Sequence, residues 1–121
     1  MSALPAGWPR DLPPAGTDEF NAKVCGWLLD RGPADLRASR VRTMPIALAR
    51  IVSHTVDASL EGMRAAYASA RVELGDLLPP DEVSAAQAAM EAEGARLLQV
   101  QREVRLVEDV LRRAAEGRRR S

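Results

Sequence analysis

The chain has 121 residues, 17 basic and 17 acidic side chains and a formal net charge of zero, a length that makes one domain. One Phe, one Tyr and two Trp leave an aliphatic core, in a sequence with 21 Ala and 16 Arg but a single Lys. A lone Cys excludes an internal disulfide. No uncharged apolar run reaches the ~18–20 residues of a membrane span, and no run of period two is long enough for a strand. The expectation is an all-α, cytoplasmic protein that makes no membrane contact.

Residues 1–16 carry four prolines, with Gly7 and Gly16, and cannot form a helix. A Trp between two prolines is wasted in a solvated tail, so Trp8 and Leu12 are expected to pin an extended arm across the helices. Thr17, Asp18 and Glu19 open a helix over 17–31, with a hydroxyl to cap it and acids in its first turn. Phe20, Val24, Trp27 and Leu28 form its apolar face, and Gly32-Pro33 ends it. Residues 33–42 read as a second short helix with Leu36 and Val41 as its apolar contacts.

Two long helices follow, over 45–78 and 80–116. In the first, Ile46, Ala49, Val56, Leu60, Met63, Tyr67, Ala70, Leu74 and Leu77 share one stripe, with Ser53 its polar member. In the second, Val83, Met90, Leu97, Val104 and Leu111 recur every seven residues, and Ala86, Val100, Val107 and Ala114 fill the intermediate places. Apolar residues alternating three and four apart make a narrow helical seam. Pro45 suits a first turn, and Pro79-Pro80 cannot continue a helix. The tight connection makes the arms antiparallel, with facing residues summing to about 159. Leu48, Ile51, Val52, Leu106 and Val110 give the open end a second apolar stripe, which the two short N-terminal helices are expected to cover. Gly117 reads as a terminal cap, leaving 117–121 as a basic tail. The fold class expected is a long antiparallel, coiled-coil-like helical hairpin with two short N-terminal helices packed at its open end, a single all-α domain over 17–116.

The zero net charge hides a polarity. Residues 73–93 hold Glu73, Asp76, Asp81, Glu82, Glu91 and Glu93 and no cation, minus six at the closed tip. Residues 31–50 hold Arg31, Arg37, Arg40, Arg42 and Arg50 against Asp35, plus four, and residues 105–121 are plus three. Antiparallel folding places both basic segments at the open base. Two candidate surfaces result: an acidic tip of Glu73, Asp76, Asp81 and Glu82, and a basic base of Arg37, Arg40, Arg42, Arg112 and Arg113. Asp81, Glu82, Arg112 and Arg113 also sit where helix dipoles favour them.

Catalytic chemistry does not assemble. His54 is the one histidine, on a polar stripe with Arg50, Asp57 and Glu61, and it lacks the Glu-x-x-His partners of a carboxylate-bridged metal site. Cys25 has no histidine nearby in sequence and reads as a structural thiol. Gly-rich phosphate loops, a G-x-S-x-G elbow and Cys/His clusters are missing. No catalytic residue, cofactor, metal or small-molecule substrate is expected. The function expected is a non-catalytic interaction or adaptor protein, either self-associating as a homodimer with tip against base or binding another protein. A regulator of a larger machine, such as the transcription apparatus, acting through the acidic tip is the second expectation. Phosphate-driven nucleic-acid binding by the basic base is the third.

Overall fold

The computed structural model describes residues 4–120. Three α-helices and no strand make up its regular structure, joined by short 3-10 segments: α1 (Asp18–Leu29), α2 (Pro45–Leu74) and α3 (Pro80–Arg120). At 1.5 Å per residue α2 is about 45 Å long and α3 about 62 Å. They pack as the long antiparallel hairpin. Asp57 bonds Gln101 and Arg50 pairs with Glu108, so facing residue numbers total 158, one short of the expected register.

The seam buries as its spacing requires. Ala49, Val56 and Leu60 from α2 meet Leu97, Val104 and Leu111 from α3, with Ser53 the polar member enclosed among them. Leu48 and Val52, from the second stripe, are buried outright against α1. Phe20, Val24, Trp27 and Leu28 supply the facing side of that layer. Each such aliphatic side chain withdrawn from water contributes roughly 1.5–3 kcal/mol. The open base is thus a three-layer core.

The Thr17 hydroxyl accepts the Phe20 amide at 3.1 Å and caps α1. Before it, residues 5–17 make three consecutive turns, closed by Trp8 N to Pro5 O, Leu12 N to Pro9 O and Thr17 N to Pro14 O. In Pro5-Ala6-Gly7-Trp8 and Pro14-Ala15-Gly16-Thr17 the third residue has φ of 84° and 85°. A positive φ at that position is the type II requirement, which glycine meets without steric cost. The turns bury Leu12 and set the Trp8 ring 5.9 Å from Phe20. The Trp8 indole N–H is shared between the Leu12 and Pro13 carbonyls.

Asp11 then fastens the arm to α1. It accepts the Trp27 indole N–H and an Arg31 N–H, each at 2.8 Å, while the Arg31 guanidinium lies 3.9 Å from the Trp27 ring centroid. Burial by itself would raise the Asp11 carboxyl; the bonds from Trp27 and Arg31 and the Arg31 charge outweigh it and hold the pKa below its ordinary value.

Several boundaries differ from the sequence expectation. The helix expected over 17–31 ends at Leu29, and α2 ends at Leu74 with Gly75 as its cap rather than running to 78. Proline restricts the residue before it to extended backbone, so the approach to Pro79 cannot stay helical. Residues 33–42 form two 3-10 segments, Ala34–Ala38 and Arg40–Thr43, parted by an extended Ser39. Leu36 and Val41 are too few apolar contacts to repay nucleation of an α-helix. α3 continues through Gly117, so the expected tail at 117–120 is helical and Gly117 is no cap. The arginines of that last turn suit the negative helix end.

Two predictions follow from the base. A Cβ at Gly32 would lie 2.9 Å from Val52 Cγ2, which is itself fully buried. Gly32→Ala therefore destabilises by about 1–3 kcal/mol in urea unfolding. Because the folded Asp11 pKa is depressed, its contribution is complete above the unfolded value near 4 and is lost as pH falls through the folded one. Tryptophan fluorescence should report the arm loosening below about pH 4, and Asp11→Ala should show that spectrum already at neutral pH.

Candidate interaction surface

The N-terminal layer covers one side of the hairpin base and stops there. A Cβ at Gly7 would touch Leu106 Cδ1 at 3.7 Å, and Trp8, Asp11 and Arg31 border one cleft with Gln99 and Glu103. Gln99, Glu103 and Leu106 run along one side of α3. Gln101, Arg105 and Glu108 run along roughly the opposite side, two residues or 200° away. That second side carries no third layer.

At the base the uncovered face is polar. Gln101 donates to Asp57 Oδ1 at 2.7 Å and Arg105 reaches the same oxygen at 3.5 Å. One turn on, the Glu108 side chain is only 8% exposed, with Arg50 Nη1 at 3.1 Å and Arg112 Nη2 at 3.4 Å from Oε2. Arg50 Nη1 donates to Oε1, whereas Oε2 has charged neighbours but no aligned hydrogen bond. Arg50 also sits 3.1 Å from His54 Nε2. A guanidinium only donates, so that nitrogen accepts and the ring proton belongs on Nδ1.

Towards the tip the same face turns apolar. Leu60, Met63 and Tyr67 on α2 and Met90, Ala95 and Leu98 on α3 line an open groove of about 430 Å³. Arg64 and Glu91 stand on its rims, and Gly94 leaves a gap with nothing within 4 Å of a Cβ. A smaller hollow extends it between Arg71, Gly75 and Leu78 and Pro80, Val83, Ser84 and Gln87. Beyond Leu60 and Leu97, Ala70 and Val83 are the only hydrophobic residues among those described that are fully buried. Some 20 Å of hairpin therefore stands clear of the base.

The sequence-derived tip residues lie together at this free end. Glu73, Asp76, Asp81 and Glu82 are all exposed, and no ion pair among the described residues includes them. Beside them Val72 is 84% and Leu77 75% exposed, with Leu78 partly so. The basic residues are more heavily engaged. Arg37 pairs with Asp30, Arg112 with Glu108 and Arg113 with Asp109. Arg40 and Arg42 lie in the 3-10 segment that leads into α2. Nothing brings all five of these arginines to one point.

A second groove, of about 640 Å³, lies at the base between α1, the start of α2 and the end of α3, lined by Phe20, Cys25, Met44 and Ala114 among others. Cys25 is half-buried there, and burial raises its thiol pKa, which lowers its thiolate fraction. Among the described residues no group of His, Cys, Asp or Glu could hold a metal, and no helix is long and apolar enough to cross a membrane. No protein-family model, curated protein or solved structure matches the chain.

Sequence reasoning missed the groove and Glu108. The signal for Glu108 was its place on a three/four-spaced stripe with Leu97, Gln101, Val104 and Leu111. The groove was signalled by Met63, Tyr67, Met90 and Leu98 persisting in a stretch otherwise rich in Ala.

Removing one member of the ladder exposes its energetics. Arg50→Ala leaves the Glu108 carboxylate enclosed with Arg112 as its nearest cation. With the Arg50 side chain itself 43% exposed, the cost falls to about 1–3 kcal/mol, below that of a wholly buried pair. Glu108→Met removes the buried charge and should cost less than Arg50→Ala in parallel thermal melts.

Proposed function

We propose that the chain is a small non-catalytic, α-helical interaction protein that binds through the uncovered face and tip of its distal hairpin. The observation that carries this reading is the apolar groove lined by Leu60, Met63, Tyr67, Met90 and Leu98, on the part of the hairpin its own N-terminal segment leaves bare. A helix entering the groove would complete a bundle of the sort that packs along coiled-coil-like seams. At the base α1 buries Leu48 and Val52 of the surplus stripe, while Ile51, Leu106 and Val110 stay partly exposed.

The tip favours a related reading, regulation of a larger assembly. Carboxylates that engage no cation, interspersed with exposed Val72 and Leu77, suit insertion into a basic, partly apolar channel. Nucleic-acid binding has less behind it, since Arg31, Arg37, Arg50, Arg105, Arg112 and Arg113 already face carboxylates. A cytoplasmic location remains part of the proposal.

Gly94 provides the test. It is helical with open space around it, so Gly94→Arg relieves a helix penalty of about 1 kcal/mol while filling the groove. The variant should melt no lower than the parent and lose association by an order of magnitude or more. Unchanged association, with the protein itself or any purified partner, would remove the groove from the proposal.

A further inference from the structure

The distal hairpin and the base meet at a level where both long helices carry a glycine. We infer that this level is a hinge: the distal arm, with its groove and tip, swings as one body against the base about Gly62 and Gly94. This holds whatever the groove binds.

In the register shown by Asp57 with Gln101, Gly94 faces Arg64, so Gly62 lies two residues, about 3 Å, from its level. Glycine is the weakest helix former after proline, and the fold requires neither residue. Both are helical, and positive φ among the described residues is confined to Gly7 and Gly16. A Cβ at Gly62 or at Gly94 would meet nothing within 4 Å. Gly26 and Gly117 are equally open, but they lie singly. Among the described residues, only Gly62 and Gly94 are glycines at one level of the two long helices. Glycine sites are where long helices kink, by 20° or more.

The packing changes at the same level. Leu60 and Leu97 end the buried core of the base, and beyond them only Ala70 and Val83 are buried hydrophobic residues among those described. Met63 and Met90, partly buried beside the joint, are unbranched and repack as an angle changes. Each glycine is also bracketed on its own helix by an acid and an arginine three apart. Glu61 and Arg64 pair at 3.0 Å around Gly62, and Glu93 and Arg96 share two bonds of 2.6 and 2.8 Å around Gly94. Such pairs support a helix by less than a glycine weakens it, so they favour the straight form without locking it. A bend leaves both helices continuous and the register unchanged. It does reshape the groove, whose lining straddles the joint, with Leu60 and Leu98 on the base side and Tyr67 and Met90 on the arm side.

Spin labels on the full chain with Cys25→Ser read the angle. One pair, Lys23→Cys with Ser84→Cys, spans the joint; a second, Lys23→Cys with Arg102→Cys, lies within the base, and all three sites are exposed. A swing of about 20° carries Ser84, ten residues or about 15 Å beyond Gly94, through about 5 Å. Pulsed electron resonance should therefore give a broader distance distribution for the first pair than for the second. Gly62→Ala with Gly94→Ala should narrow the first to the width of the second, whereas Gly26→Ala with Gly117→Ala should leave it broad. Glu61→Gln with Glu93→Gln should broaden it further, as should high salt, which screens exposed pairs. A parent distribution already as narrow as that of the Gly62→Ala, Gly94→Ala variant overturns the hinge. Equal narrowing by Gly26→Ala with Gly117→Ala also overturns it, because the motion then lies elsewhere. Gly94→Ala leaves the groove open where Gly94→Arg fills it, so failure of the hinge and failure of the interaction reading are read separately.

Discussion

Two helices lying side by side shelter only a narrow stripe on each, and a full core needs a third layer. In this chain the third layer is α1 with the arm, and it is shorter than the hairpin it covers. Where the layers overlap, Leu28, Leu48, Val52, Val104 and Val107 are lost to solvent altogether. Past Leu60 and Leu97 the hairpin relies on its seam alone. Much of the sequence adapts: Ala66, Ala70 and Ala86, wholly or partly buried, let the helices close with little left to bury. Met63, Tyr67, Met90 and Leu98 do not fit that economy. The distal arm keeps its helices partly through propensity and partly because both enter it from a rigid base, so local opening there should be easier than at the base.

The hairpin was legible because helical period is a direct signal. Its register came within one residue because Pro79-Pro80 forces a tight connection and leaves few ways to align the arms. The second apolar stripe announced that something covers the base. What the sequence pattern could not convey was the form of that cover. Trp8 and Leu12 suggested pinning, yet two of the three turns depend on a repeated Pro-Ala-Gly whose meaning is local backbone geometry. The Asp11 contacts with Trp27 and Arg31 join residues 16 and 20 apart, and no periodicity reports such a meeting. Residues 33–42 looked helical by composition. The extended Ser39, with its hydroxyl on the Leu36 carbonyl, decides otherwise.

Formal charge also proved a coarse guide. Counting side chains gives a base as strongly charged as the tip, but the two ends differ in what those charges face. At the base Arg31, Arg37, Arg50, Arg105, Arg112 and Arg113 meet a carboxylate within 4 Å, the last two on the same helix one turn away. At the tip Glu73, Asp76, Asp81 and Glu82 face water. The field beyond the tip is accordingly the stronger feature at moderate salt, because exposed paired charges largely cancel within a Debye length.

Glu108 connects these strands. A seam of Ala, Val and Leu tolerates a slip of one turn almost as well as the native alignment, since each side chain finds another of similar size. A carboxylate enclosed on that seam does not. Only one alignment puts Arg50 opposite Glu108 and, two turns away, Asp57 opposite Gln101 and Arg105. Any other encloses the acid without its main cation, the costly arrangement of a broken buried pair. The ladder thus contributes less to stability than to choosing the register, as single polar residues do in coiled coils. That choice is made about 20 Å from the groove, fourteen residues along α3 from Glu108 to Gly94. It is nonetheless what brings Met63 and Tyr67 level with Met90, Gly94 and Leu98, because two stiff helices carry a register set at one end through to the other.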